Sequence, residues 1–165
     1  MNKITLREIK ANKDRKLLRE MCKIYLADLS RYKDLAQDNE AIRDACCEAG
    51  HRKDFFITLN DKPIGFVMLG DFPNSFSKHD LYIQEFFIKN EYRQKGYGRE
   101  AVQRITEMFN DFDFSLFIIE KNRPAIRFWD TVFMQLSYEN RLAAANVETS
   151  TWDHMTFRYF TYIGE

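Results

Sequence analysis

Between Arg93 and Gly98 the chain reads Arg-Gln-Lys-Gly-Tyr-Gly, and Arg99 follows. Three cations around two glycines suit one kind of ligand, a diphosphate. Glycine lets backbone turn sharply and approach a ligand with no side chain in the way. A helix starting at this point presents unpaired N–H groups and a partial positive charge, the natural cradle for phosphate oxygens. Farther on, Asn122-Arg123-Pro124-Ala125 has the chemistry of a helix start, with Asn as cap and Pro in the first turn. The Asn122 side chain can cap that helix. His51, His79 and His154 stand alone, and Cys22, Cys46 and Cys47 have neither zinc spacing nor an even count for disulfides. No metal is expected.

The elements that would hold these groups follow from periodicity. Ile4 to Ile9 alternates apolar and polar residues and predicts a strand. Leu17 to Leu29 carries apolar residues at helical spacing, and Ala41 to Ala49 repeats the pattern before the stop at Gly50. Phe55 to Leu59 and Ile64 to Leu69 read as a hairpin about the turn Asn60-Asp61-Lys62-Pro63. A loop is expected from Gly70 to Asp80 and a strand from Leu81 to Ile88. The polar stretch Lys89 to Lys95 leads to a helix opened by the glycines, with Ala101, Val102, Ile105, Met108 and Phe109 as its stripe. Phe112 to Ile119 reads as a central strand. A helix with Trp129, Val132 and Phe133 inward follows, and a last strand lies at Met155 to Ile163. The order β-α-α-β-β-β-α-β-α-β-β predicts one α/β (α+β) domain over residues 1–165, with a mixed sheet.

Two nucleotide-binding families fit the glycines. Gly96-Tyr97-Gly98-Arg99-Glu100-Ala101 matches the dinucleotide pattern GxGxxG/A, and Glu120 ends the next strand, where a ribose-binding acid would stand. Against this, the long polar stretch after Ile88 replaces the tight turn that motif needs, and three cations crowd the site. Too little chain follows Glu120 for further alternating βα units.

Arg-x-x-Gly-x-Gly from Arg93 to Gly98, after a strand ending at Ile88, resembles the acetyl-CoA signature of the GNAT superfamily of N-acyltransferases. Asn122 to Trp129, Asn-Arg-Pro-Ala-Ile-Arg-Phe-Trp, resembles that family's Asn-x-x-Ala-x-x-Phe-Tyr helix. Element order agrees as far as Phe133. The resemblance implies a mostly antiparallel sheet flanked by helices, with two strands splayed at the CoA site. It implies that the amides of Gln94, Lys95, Gly96, Tyr97, Gly98 and Arg99, with the Arg93 cation beside them, hold the pyrophosphate. Backbone groups of Phe87 and Ile88 and the Asn122 amide would bond the pantetheine arm, with Phe128 packed close by. The activity implied is acetyl transfer from acetyl-CoA to a primary amine.

One departure bears on mechanism. The family's Tyr, which can protonate the departing thiolate, is Trp129 here, and an indole N–H is no acid in this pH range. A thiol of pKa about 8.5 makes the thiolate a tolerable leaving group, and Tyr138 is the candidate proton donor. The attacking amine must be neutral, which for a lysine-type amine costs about 4.6 kcal/mol at pH 7. Glu85 and Tyr82 are the candidate bases, Glu85 preferred. Strand alternation would put them on opposite faces of the sheet, so that only one meets substrate. A domain that binds acyl-CoA without turnover is the alternative reading, favoured by Trp129 alone.

A formal net charge of zero argues against nucleic acid as a partner. No apolar run approaches the ~20 residues that span a bilayer. The polar N-terminus lacks a signal-peptide stretch, so a cytoplasmic address is expected. The expected partner is an amine acceptor, small molecule or protein, and a homodimer is left open. The acceptor-binding parts would be the two N-terminal helices, the loop at Phe72 to Asp80 and the segment Tyr138 to Asp153.

Overall fold

The computed structural model describes residues 3–32, 53–71, 80–138, 142–143 and 155–162. Strand β1 (Ile4–Glu8) is followed by helix α1 (Asn12–Leu29), hairpin strands β2 (Lys53–Leu59) and β3 (Lys62–Asp71), and β4 (Asp80–Ile88). Helix α2 (Tyr97–Met108), β5 (Asp113–Ile119), α3 (Arg123–Tyr138), the short β6 (Leu142–Ala143) and β7 (Met155–Tyr162) complete the order. The helix expected at Ala41 to Ala49 and most of the loop after Asp71 lie outside the described residues. The expected order already ends in two strands, but the position of the two-residue β6 was not given, because nothing that short has a period.

The seven strands form one sheet in the order β1-β2-β3-β4-β5-β7-β6. Every neighbouring pair is antiparallel except β4 with β5. This is the mixed, mostly antiparallel sheet expected, and it rules out the doubly wound parallel sheet of the dinucleotide reading.

Local chemistry explains the edges of these elements. Asn60 and Asp61 take positive φ, 48° and 65°, the mirror-image turn that matches the strands' own twist. Lys62 and Pro63, expected in the turn, therefore lie in β3. Pro63 faces Thr58 at an irregularity in the β2–β3 ladder, where a missing N–H does least harm. Helix α1 starts a turn and a half before its first apolar residue. Its early residues hold it by charge, Asp14 to Arg7 at 3.1 Å and Arg15 to buried Asp54 at 2.5 Å.

The sheet separates two apolar layers. On one face Leu18, Met21 and Cys22 of α1 pack on Phe56, Phe66, Met68 and Phe87. On the other, Val102 and Ile105 of α2 and Trp129, Val132, Phe133 and Leu136 of α3 cover Val67, Leu69, Ile83, Phe114, Leu116 and Ile118. Among the described residues the stripes read from sequence are buried or half-buried, apart from Leu17 and Met108, which are exposed.

Candidate active site

Strands β4 and β5 pair only at Asp80–Asp113, Leu81–Phe114 and Tyr82–Ser115. Beyond Tyr82 they part. From Leu116 onward β5 continues its pairing with β7, while β4 continues with β3. A groove of about 930 Å³ opens at this divergence. Phe86, Phe87 and Ile88 line one side, Asn122 and Phe128 the other, and Gly96, Gly98 and Arg99 the end toward α2.

The backbone of β4 supplies polar groups to this gap. Lys89 gives its N–H to the Ile64 carbonyl across the β3 side, at 2.9 Å. Antiparallel ladders alternate bonded and outward-facing residues. Ile88 and Phe86 therefore turn their N–H and C=O away from β3 and into the gap. The Ile88 carbonyl shows it, for it accepts from Nε of Arg93 at 2.7 Å rather than from a strand.

At the glycine end Gly96 stands at φ 82° and caps α2. Left-handed backbone there is cheap for glycine alone. Gln94, at φ 58°, is a second left-handed residue in the same turn. Gly98 serves a different need: a Cβ there would lie 3.0 Å from Cε2 of Phe128. Phe128 also stacks on Phe86 with ring centroids 5.7 Å apart. The ring of Phe128 is thus a spacer between α2 and β4 as well as a wall of the groove.

The cations divide by use. Arg93 lines the groove, yet its guanidinium bonds Asp28 of α1 at 2.5 Å as well as the Ile88 carbonyl, and lies over the Phe87 ring. Arg93, expected beside the pyrophosphate, has its guanidinium engaged within the chain while it lines the groove. Lys95 reaches back to the Glu91 carbonyl at 2.9 Å. Arg99 is exposed and lines both the groove and a smaller cavity of about 420 Å³ beside α2. Tyr97 packs against the cluster of Ile4, Ile57, Ile64 and Ile88.

Asn122 does cap α3, its Oδ1 accepting the Ala125 N–H at 3.2 Å. Its amide still lines the groove, so cap and ligand contact are compatible. Phe87 is core, and the same alternation turns its N–H and C=O toward β3, so Phe86 rather than the expected Phe87 joins Ile88 in facing the gap. Trp129 is 5% exposed, stacked on Phe133 and edge-on to Phe86. Tyr138 ends α3, and its side chain is outside the described residues.

The expected opposition of Tyr82 and Glu85 is wrong. Register jumps in β4: Met68 pairs with Glu85, but Leu69 pairs with Ile83. Gln84 is an extra residue, a β-bulge that resets the alternation. Tyr82 and Glu85 therefore share the α1 face. The two interact, since burial first, and the Glu85 charge second, push the Tyr82 phenol up to about 12. Periodicity could not show this, because the bulge has no residue signature in LYIQEFFI.

Sequence reasoning also gave Tyr25 no role in chemistry. Its phenol on α1 donates a hydrogen bond to the Glu85 carboxylate, and its ring lines the groove. Gln135 was missed too. It lines the groove from α3, and its Oε1 is buried with no hydrogen-bond partner among the described residues.

The family model described as acetyltransferase (GNAT) family matches residues 18–133. No curated protein matches the chain in sequence. Among solved structures, an acetyltransferase from Thermus thermophilus is similar at TM-score 0.66 and 14% identity, with 97% of each chain covered. Tetrahymena GCN5 is similar at TM-score 0.67 and 12% identity, covering 97% of this chain and 96% of that one. Arabidopsis thaliana NAA60, solved in complex with a bisubstrate analogue, gives TM-score 0.59 at 13% identity, covering 98% and 100%. At such identities the likeness is one of fold.

Proposed function

The chain belongs to the acetyltransferase (GNAT) family, and on that premise we propose that it transfers an acetyl group from acetyl-CoA to a primary amine by direct attack. The observation that carries this reading is the gap between β4 and β5. It joins a glycine-capped helix start, at one end, to the gap-facing backbone of Phe86 and Ile88 and then to the Tyr25–Glu85 pair.

In this reading the turn from Gln94 to Arg99 holds the pyrophosphate with backbone N–H groups, and Arg99 adds the mobile charge. The Ile88 and Phe86 groups bond the extended pantetheine arm in the manner of an added strand, and Asn122 bonds it from the far wall. The thioester supplies an activated acyl carbon and a leaving thiolate. Gap-facing N–H from β4 polarises its carbonyl. Holding both reactants in the gap supplies much of the rate by itself.

The acceptor enters from the α1 face. The α2–α3 face is closed by apolar side chains, whereas Tyr25, Tyr82 and Glu85 all lie on the α1 side. Glu85 is the proposed base that takes the amine proton. Tyr138 is the proposed donor to the thiolate, which leaves without help from Trp129. The acceptor is a small molecule or a protein amine.

The test mixes the protein with acetyl-CoA and a panel of amines and follows free thiol. Release that depends on both amine and protein is the expected result. Tight binding of acetyl-CoA with no release for any amine class would instead make this a non-catalytic acyl-CoA-binding domain. Failure to bind acetyl-CoA at all would overturn both.

A further inference from the structure

Glu85 does not itself line the groove, and Tyr25 does. The Tyr25 ring is fixed edge-on to Phe66, centroids 5.6 Å apart, and tilted on Phe87 at 5.5 Å. Its hydroxyl proton is directed at the Glu85 carboxylate. A phenol so placed has its donor committed and its oxygen still able to accept. A carboxylate behind it makes that oxygen a stronger acceptor.

We propose that Tyr25 is the group that meets the acceptor amine, and that it relays the amine's proton to Glu85. The inference rests on the reading of the chain as an amine acetyltransferase. The step balances simply. An ammonium N–H donates to the Tyr25 oxygen; the N–H bond breaks as a new O–H bond forms there. The original Tyr25 proton moves along its existing hydrogen bond to Glu85 Oε2. Tyr25 ends as a neutral phenol, Glu85 as a carboxylic acid, and the amine keeps the lone pair that attacks the acyl carbon. Neither phenolate nor free hydroxide is needed, so the high intrinsic pKa of a phenol, about 10, is no obstacle. The bulge at Gln84 is what makes the arrangement possible, because it turns Glu85 to the α1 face along with Tyr82.

The relay has a signature that a packing role lacks. It matters only for an amine that arrives protonated. Tyr25→Phe keeps the ring against Phe66 and Phe87 and removes only the hydroxyl. At pH 7 its kcat/KM for a strongly basic alkylamine should fall roughly tenfold to a hundredfold, in the range of acid–base contributions. For a weakly basic amine already neutral at pH 7, the same variant should stay within about twofold. Affinity for acetyl-CoA should not change, and the melting temperature should fall by only a few degrees, as loss of one hydrogen bond allows. Glu85→Gln should show the same selectivity by amine basicity, and the double variant should be no worse than Glu85→Gln alone, because the two act as one unit. Equal losses for both amine classes, or additive losses in the double variant, would overturn the relay while leaving the acetyltransferase reading intact. Absence of thiol release by the unaltered protein with every amine would overturn that reading instead. If Tyr25→Phe does not fold, the amine-basicity contrast in Glu85→Gln decides the matter, and equal losses there overturn the proposal.

Discussion

At Gly98 one added methyl would stand 3.0 Å from Cε2 and 3.2 Å from Cζ of Phe128. Gly98→Ala should therefore cost about 1–3 kcal/mol, the usual range for overpacking, and weaken CoA binding as Phe128 is pushed toward the groove. Phe128→Leu in the same chain should recover part of the lost stability; denaturant unfolding with CoA titration checks both. The two glycines of the motif thus answer to different constraints, backbone sign at Gly96 and side-chain proximity at Gly98. The sequence shows that glycines are there, but which constraint each one meets depends on Phe128, thirty residues away. The same holds for the cations. Arg93 looks like the strongest phosphate ligand by motif, but Asp28 and the Ile88 carbonyl engage its guanidinium, and no local pattern ties Asp28 to it. Asn122, by contrast, was legible in full as a cap, since capping depends only on residues up to Ala125.

Elements with strong periods were legible to within a few residues. Helix α2, helix α3 and strand β5 formed where their apolar stripes placed them, because burial on one side is what selects the period. What periodicity could not convey is pairing. The point where β4 leaves β5 is set by β7 and by the helices on either face, not by residues in β4. That point fixes a measurable contrast. Ile88 and Phe86 face the gap, while Lys89 donates to Ile64. On adding CoA, amide hydrogen exchange at Ile88 and Phe86 should slow strongly, and exchange at Lys89 should change little. Equal slowing at all three positions would mean that the ligand acts by general tightening rather than by bonding the strand. The bulge at Gln84 was illegible for a related reason: an extra residue is defined by the partner strand, and β3 carries the evidence for it.

On the scale of the whole molecule, the sheet is two ladders joined across three residue pairs. One, from β1 to β4, carries α1 and the Tyr25–Glu85 pair. The other, from β5 to β7, faces α3. Below Tyr82 and Ser115 each ladder presents a strand edge to the other, and the described residues pair neither edge across the gap. An unpaired edge of Phe-rich strand is a template for any extended chain that reaches it. The donor molecule, lying along Phe86 and Ile88, would cover one such edge. Its occupancy would then govern solution behaviour as well as turnover. The protein freed of CoA should aggregate faster at matched concentration and temperature than the CoA-bound protein, as light scattering would record. For this fold, in other words, the cleft that admits a substrate is also an adhesive surface, and keeping it filled protects the chain from its own copies.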